Sequence, residues 1–267
     1  MIKENFKPLT PKQEEIRCKL CDNLVFQQYA LKSKIDNLET VNNWYHCRCG
    51  CIFNNHKLND KSKIFNAEYR KVYQEMKGVG VLYDYFIRLY APILEEKTYG
   101  RKFIDVGYCL EYLIDGMKRR GWISTGIDLI PGPYIHDDFE KFNFGKERFD
   151  LIWLGGVIQC FEDPLTALYK AYDLLRPDGL MFIATPNTDL IKYDFIPAWG
   201  HWDMRENRQF ISEQNLRDIL SRADRTLTGR CKIIYMDSEV ITKRFPSWNV
   251  MHAIIQKKKI EMFNFGR

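Results

Sequence analysis

The sequence lacks long apolar segments and has only a small excess of charge. Hydrophobic residues make up 45% of its 267 residues, but they occur in runs far shorter than a membrane span. The first ten residues, MIKENFKPLT, contain no apolar core of a signal peptide. We therefore expect a cytoplasmic protein with no membrane partner. A formal net charge of +5 is too small to indicate a protein that coats nucleic acid.

Cysteine is scarce over most of the chain, because only three of the eight cysteines lie beyond residue 51. The other five lie between Cys18 and Cys51 in two clusters. In a reducing compartment, clustered cysteines indicate a metal site rather than disulfides. The first cluster contains Cys18 and Cys21, a CxxC pair that can wrap a tight turn around one tetrahedral ion.

The second cluster offers more than one way to complete a zinc ribbon. His46 with Cys49 keeps the usual two-residue gap, and Gly50 follows, as suits a left-handed turn. Cys47 with Cys49 keeps both ligands as sulfur but shortens the gap. Cys51 is a more distant alternative. Four protein ligands leave no open coordination position, so we expect a structural zinc ion.

The apolar pattern divides the rest of the chain in two. Residues 61–97 show helical spacing, with Gly78 and Gly80 expected to break it. From Arg101 onward, short apolar runs alternate with helical patterns, and Asp163 with Pro164 marks a helix start. The predicted strands are Lys102–Val106, Trp122–Asp128, Tyr134–Phe139, Phe149–Leu154, Leu180–Ala184, Lys232–Met236 and Asn249–Gln256.

This alternation predicts an α/β fold, with a Rossmann-like, mostly parallel seven-stranded sheet covered by helices on both faces. We expect a zinc-ribbon-like module at 1–60, a helical connector at 61–100 and the α/β domain at 101–267. Ligands of such sheets bind at the carboxyl ends of the strands. Gly107 follows the first strand, and Asp128 ends the second, where a carboxylate can accept both hydroxyls of a ribose.

Three segments carry a resemblance to a known family. FIDVGYCLEYLIDGMKRRGWISTGIDL resembles the cofactor-binding motifs of class I S-adenosylmethionine-dependent methyltransferases, in which an Asp-x-Gly-x-Gly-x-Gly loop precedes a helix and a ribose-binding acid follows. HDDFEKFNF and FDLIWLGGVIQCFEDPLTALYKAYDLLRPDGLMFIATPN are similar to later segments of that family, in order and spacing. The resemblance covers roughly residues 100–223. A ribbon-and-helix leader accompanies one branch of the family.

The resemblance implies S-adenosylmethionine as cofactor. Asp105 would orient the loop that holds the methionine end, Asp128 would bind the ribose, and Asp138 would meet the adenine amino group. The segment after the fourth strand would form the floor. The residues implied around the cofactor are Asp105, Gly107, Tyr108, Cys109, Asp128, Leu129, Asp138, Phe139, Leu154, Gly155 and Gly156.

The chain departs from the family pattern at two of the loop glycines, which are Cys109 and Glu111 here. If Glu111 faced the pocket, it would repel the carboxylate of the cofactor. Alternatively, it is a solvated first-turn acid, which favours a helix N-terminus. The family's frequent His-Val-Leu-Glu-His is replaced by Gly156-Val157-Ile158-Gln159-Cys160, so its acid–base groups are not inherited.

Candidates for proton transfer follow the fifth strand. His201 is the predicted base, with Asp203 or Glu206 as its partner. The family often shows Trp-x-His and then Glu-His in this segment, and Asn207 replaces the second histidine here.

The acceptor is predicted to be a small molecule, for example a saccharide, methylated on oxygen or nitrogen. Nucleic acid is disfavoured because the fourth strand is not followed by Pro-Pro-aromatic, and no Pro-Cys pair occurs. Two alternatives are a decayed methyltransferase fold whose ribbon binds a protein partner, and a nucleic-acid methyltransferase with the ribbon as reader.

Overall fold

The computed structural model describes residues 5–6, 16–25, 27–35, 38–54, 61–190, 206–221, 231–237 and 250–258. Its strands are β1 (Asn5–Phe6), β2 (Gln27–Ile35), β3 (Leu38–His46), β4 (Ile52–Asn54), β5 (Lys102–Val106), β6 (Ile123–Asp128), β7 (Ile135–His136), β8 (Phe149–Gly155), β9 (Leu175–Pro186), β10 (Gln209–Phe210), β11 (Cys231–Asp237) and β12 (Val250–Lys257). Its α-helices are α1 (Ala67–Glu75), α2 (Val79–Lys97), α3 (Tyr112–Arg119), α4 (Pro164–Leu174) and α5 (Glu213–Ser221).

The larger sheet has seven strands in the order β11-β12-β9-β8-β5-β6-β7. Strands β5 to β9 pair in parallel, and β12 runs antiparallel to both of its neighbours. Its central strands are almost fully buried, as expected for short apolar runs covered on both faces. Helices α2 and α3 pack in the core cluster on one face, and α4 and α5 in the cluster on the other. The predicted Rossmann-like architecture is confirmed.

Local signals explain where several helices begin and end. Asp163 caps α4, because its carboxylate accepts the N–H groups of Leu165 and Thr166 at 3.1 Å, and Pro164 occupies the first turn. The expected break in the connector occurs at Gly78 alone, which has φ 91°. Gly80 lies inside α2, so the prediction that it ends a helix is wrong.

Two predicted strands differ from the structure by more than one residue at an end. Strand β7 is only two residues long, shorter than the predicted Tyr134–Phe139. Strand β9 begins at Leu175, earlier than predicted, and includes Asp178 at φ 62°. The pairing of β8 with β9 shifts register between Phe149 and Leu151, so the Pro-Asp-Gly segment forms an irregularity within the strand.

The smaller sheet has the order β1-β2-β3-β4-β10, and all four of these neighbouring strand pairs are antiparallel. Its last strand, β10, comes from the segment after the fifth strand of the larger sheet, and Phe210 pairs with Ile52 of β4. The Trp44 and Phe210 rings stack at 5.0 Å. A strand of the α/β region therefore completes the sheet of the N-terminal region. No helix among the described residues is both long and apolar enough to cross a membrane.

Candidate functional site

The candidate site is a crevice at the carboxyl ends of β5 and β8. From β5 the chain builds β6 and β7 on one side and then crosses to β8 on the other, so the strand order reverses here. Gly107 and Gly156, which follow these two strands, both have φ 71°. A Cβ on Gly107 would lie 2.3 Å from Val157 Cγ1, so only glycine fits this turn.

Two buried carboxylates lie beneath the first turn. Asp128 accepts the N–H groups of Cys109 at 2.7 Å and Ile130 at 2.8 Å, so its oxygens face the loop after β5. Burial raises the pKa of Asp128. Burial and then the charge of Asp128 raise the pKa of Asp105 well above its usual value. An ionised Asp128 has lone pairs left for the hydroxyls of a ligand.

Arg70 of α1 holds the second part of this loop. Its guanidinium donates to the carbonyl oxygen of Cys109 at 2.5 Å and forms an ion pair with Glu111. Glu111 lies at the N-cap position of α3, and its charge is paired with that of Arg70. No pattern in the sequence indicates this contact, since Arg70 lies in the helical connector, 39 residues before Cys109.

The next segment forms the other end of the crevice. The buried Asp138 accepts the N–H of Glu140 at 2.9 Å and lies 3.6 Å from the ammonium of Lys61, which also bonds Glu140 at 2.6 Å. The Phe139 ring stacks on Phe161 at 5.8 Å. Lys61, like Arg70, comes from the connector, which therefore contacts both ends of the crevice.

The other residues expected around the cofactor differ in burial. Leu154 is fully buried in the core, and Gly155 and Gly156, which follow it, are half-buried and exposed. Tyr108 is also buried and packs edge-on against Tyr134 at 5.5 Å. Leu129 is half-buried, and its carbonyl oxygen bonds the ring of His136 at 2.9 Å.

The acceptor side is described only in part. His201 and Asp203 lie outside the described residues, whereas Glu206 is half-buried. Burial and then the charge of Glu206 raise the pKa of the Cys160 thiol. Cys160 also contacts the carbonyl oxygen of Gly156 at 3.8 Å and Asn207 Oδ1 at 3.7 Å. The segment after residue 205 thus meets the crevice through Cys160.

Two tyrosines of α1 face the same region. The Tyr69 hydroxyl donates to the Tyr73 hydroxyl at 3.1 Å, and their rings stack at 4.9 Å. Burial is the largest cause that raises the pKa of Tyr73 to about 12, and Glu206 contributes, so both phenols are neutral donors near neutral pH. Their helical spacing in the sequence predicts a packing face and does not indicate this hydrogen bond.

The cysteines gather into one cluster. The Sγ atoms of Cys18, Cys21, Cys47 and Cys49 all lie within 4.8 Å of one another. Cys18 and Cys49 are 3.7 Å apart, and Cys21 and Cys47 are 3.4 Å apart. Two sulfurs bound to one tetrahedral zinc at ~2.3 Å would be about 3.8 Å apart, so the arrangement fits zinc.

Two other candidate ligands, His46 and Cys51, lie near the cluster but are not among its four sulfurs. His46 is the last residue of β3 and is not one of the gathered ligands; burial lowers its pKa. Cys51 is fully buried beside Cys18. Of the versions left open by the sequence, the geometry favours Cys47 with Cys49.

Polar contacts dock the turn of the second cysteine pair on α5 and on the segment that follows β9. Asn215 donates to the carbonyl oxygen of Cys49 at 2.5 Å, and Thr188 to that of Gly50 at 2.9 Å. Gly50 has φ 92°, and a Cβ there would lie 3.0 Å from Ser212 Oγ. The left-handed turn and the close approach both require glycine.

Comparison with known proteins agrees with this geometry. Residues 81–228 match the model of a family described as a methyltransferase domain. The ubiquinone biosynthesis O-methyltransferase of Actinobacillus pleuropneumoniae is 29% identical over 154 residues, which cover 47% of this chain and 66% of that protein. Its counterpart from Cereibacter sphaeroides is 26% identical over 147 residues, covering 46% and 60%. The chain spans about half to two thirds of the length of such curated relatives.

Solved structures share the fold. The magnesium protoporphyrin IX methyltransferase of Synechocystis superposes with a TM-score of 0.52 at 12% identity, over 74% of this chain and 100% of that chain. The 1,6-didemethyltoxoflavin-N1-methyltransferase of Burkholderia thailandensis gives 0.51 at 14% identity, over 81% and 99%. At these identities the likeness concerns the fold alone.

Proposed function

This chain belongs to the methyltransferase-domain family, and from that premise we propose that it transfers a methyl group from S-adenosylmethionine to a small-molecule acceptor. The observation that carries the proposal is the pairing of Gly107 with Asp128 where the strand order reverses. The cofactor supplies a methyl group already activated on a sulfonium, so the protein must mainly bind and align the two reactants.

The residues present fit such a cofactor. The turn at Gly107 has φ 71° and leaves no room for a side chain beside Val157, so it requires the glycine found in such cofactor loops. Asp128 keeps free lone pairs for ribose hydroxyls after accepting two N–H groups. We assign the adenine end to the segment of Asp138 and Phe139, which borders the same crevice.

Calorimetric titration with S-adenosylhomocysteine tests the cofactor site. We expect micromolar binding in the wild type, about −8 kcal/mol, and its loss on Asp128→Ala. Asp84→Ala, which removes an exposed carboxylate of α2, is the matched control and should bind as the wild type does. Absence of binding in a folded wild-type protein would contradict the proposal and favour a decayed site.

On the acceptor side, we propose His201 as general base, with Asp203 or Glu206 as its partner. The support is the contact of the adjoining Asn207 with the Cys160 thiol at 3.7 Å, which brings the segment of Glu206 to the turn after β8. Phenol donors and a carboxylate suit an acceptor that carries hydroxyl or amino groups. A base would take the proton from such a hydroxyl or amino group.

A screen of hydroxylated and amino-bearing small molecules, read by formation of S-adenosylhomocysteine, identifies the acceptor. With that acceptor, His201→Ala should lower kcat about a hundredfold or more, and S-adenosylhomocysteine affinity should not change. His136→Ala, which removes an exposed imidazole, is the control. An unchanged kcat in His201→Ala would remove this residue from the mechanism.

We also propose that Cys18, Cys21, Cys47 and Cys49 hold a structural zinc ion. The distances between their sulfurs support this, as does the N–H of Leu20 directed at Cys18 Sγ at 3.4 Å. A set of four protein ligands leaves zinc no open position for chemistry. The metal would stabilise the N-terminal sheet and, through β10, the segment that contains Glu206.

A further inference from the structure

The loop after β5 adopts a backbone conformation that its residues do not favour. Cys109 has φ 44°, in the left-handed region, where a side chain costs roughly 1–2 kcal/mol. The peptide groups on both sides of this strained residue are held. Asp128 accepts the N–H of Cys109 at 2.7 Å, and Arg70 donates to its carbonyl oxygen at 2.5 Å. The conformation is therefore maintained by two side chains from other elements.

The same arginine neutralises the carboxylate next in the loop. Glu111 lies at the start of α3, and its side chain is 26% exposed, against 15% for that of Arg70. Without its partner, this half-buried negative charge would lie beside the loop that we assign to the cofactor's amino-carboxylate end. Like charges repel there, and partial burial weakens screening by water.

The position of Arg70 is itself fixed. Asn66 caps α1 by accepting the N–H groups of Glu68 at 3.0 Å and Tyr69 at 3.1 Å, which sets the first turn of the helix. A Cβ on Gly132 would lie 3.2 Å from Arg70 Nη1, so the guanidinium fits closely against the loop after β6. Arg70 precedes the residues that match the family model, which begin at 81.

We infer that Arg70 is a positioning residue for the cofactor loop, one that makes Cys109 and Glu111 tolerable where glycines would otherwise be required. It holds the Cys109 carbonyl group in the left-handed turn and cancels the charge of Glu111. A glycine at 109 would adopt the turn unaided, and a glycine at 111 would need no counter-charge. This inference rests on the proposed cofactor site.

The first test uses S-adenosylhomocysteine calorimetry on Arg70→Met. Losing a charge-assisted contact should weaken binding about tenfold or more. Adding Cys109→Gly and Glu111→Gly to Arg70→Met should recover most of that loss, with the double-glycine variant that keeps Arg70 as the reference for the triple variant. Arg88→Met, at an exposed arginine of α2, is the control for loss of an arginine.

Two results of this titration would overturn the inference. Unchanged affinity in Arg70→Met would show that the loop does not need the arginine. A loss that the glycines fail to recover would show that Arg70 acts on the ligand directly.

A second test needs no ligand, so it separates failure of this inference from failure of the proposed function. Amide hydrogen exchange in peptides covering residues 107–113 should speed up at least about tenfold in Arg70→Met and return towards wild type in the triple variant. Peptides from β8 should exchange as before. Equal exchange of the loop in the wild type and Arg70→Met would contradict a positioning role, whether or not the protein binds the cofactor.

Discussion

The crevice at Gly107 and the cysteine knuckle at Cys47–Cys51 are both tight glycine turns, but they are built from different ranges of sequence. Most residues of the crevice come directly after a strand, so the predicted end of each strand indicates where they lie. The knuckle meets the distant turn of Cys18 and Cys21 in the cysteine cluster. It is docked by Thr188 and Asn215, which are 138 and 166 residues from their partners. The local sequence pattern therefore predicts the crevice, whereas for the knuckle it predicts only the candidate metal ligands.

The two regions converge on the segment that includes β10. Asn54 of the N-terminal sheet donates to the carbonyl oxygen of Asn207 at 2.8 Å. Gln209 donates to the carbonyl oxygens of Ile158 and Phe161 at 2.8 and 2.9 Å, in the loop after β8. The cysteine module is thus tied to the acceptor side of the site, whereas its described contacts do not include the cofactor loop.

The largest expected effect is loss of the metal. Cys47→Ser should lower zinc from about one ion per chain to near zero, because three thiolates no longer complete the tetrahedron. Mass spectrometry measures the zinc content, and thermal unfolding measures the accompanying loss of stability. S-adenosylhomocysteine affinity should fall much less than the rate of methyl transfer, since the module meets the acceptor side.

His46→Ala is the informative partner variant, because the histidine is next in sequence to Cys47 but is not among the gathered ligands. It should keep its zinc. Cys231→Ser controls for loss of a distant thiol. Zinc loss in His46→Ala with retention in Cys47→Ser would reverse the ligand assignment, and less than half an ion per wild-type chain would remove the metal from the account.

A smaller effect, confined to the crevice, is expected from Gly107→Ala. The new methyl group would meet Val157 Cγ1 at 2.3 Å and would also suffer the cost of a left-handed backbone. Together these should weaken S-adenosylhomocysteine binding about thirtyfold, of which the backbone accounts for roughly 1 kcal/mol.

Gly121→Ala separates the two causes, because Gly121 has φ 85° and no atom within 4 Å of its added Cβ. Gly121→Ala should lower the free energy of unfolding through the left-handed backbone alone, and the affinity for S-adenosylhomocysteine should not change. Equal affinity of Gly107→Ala and the wild type would show that the cofactor does not use this turn.

The same contrast explains what the sequence could predict. Strand β5 was located to the residue, and the cap formed by Asp163 and Pro164 was identified correctly, because both depend on neighbouring residues. Arg70 and Lys61 could not be predicted as crevice residues, because their contacts depend on how α1 and the turn before it lie across the sheet. The choice between His46 and Cys47 likewise depends on strand register, which places the histidine within β3.

The pH dependence of cofactor binding should distinguish the crevice from the knuckle. Hydroxyl groups donate to ionised Asp128, and burial raises the pKa of this carboxyl. Affinity should therefore fall as the pH drops through that raised pKa, at a higher pH than for an ordinary aspartate. The slope is at most about tenfold per pH unit for one proton. Titrations of S-adenosylhomocysteine from neutral pH downward measure it.

Asp128→Asn should bind weakly but with a flatter profile, and Asp105→Asn tests the neighbouring carboxyl, which shares the buried site. A wild-type profile that matches that of Asp128→Asn would show that this carboxyl does not titrate in binding.

The smallest effect is expected where the knuckle docks. Thr188→Val keeps the shape of the side chain but removes the hydroxyl that donates to the Gly50 carbonyl oxygen at 2.9 Å. That partly buried acceptor then loses this partner, so the free energy of unfolding should fall by about 1 kcal/mol in denaturant titrations. Thr166→Val, at an exposed threonine whose hydroxyl bonds the capping residue Asp163, should lose less stability.

Zinc content and S-adenosylhomocysteine affinity of Thr188→Val should stay as in the wild type, because the contact orients the knuckle without building either site. If Thr188→Val lost zinc, docking and metal binding would be one cooperative unit, and the division of the molecule into a local crevice and a remotely docked knuckle would fail.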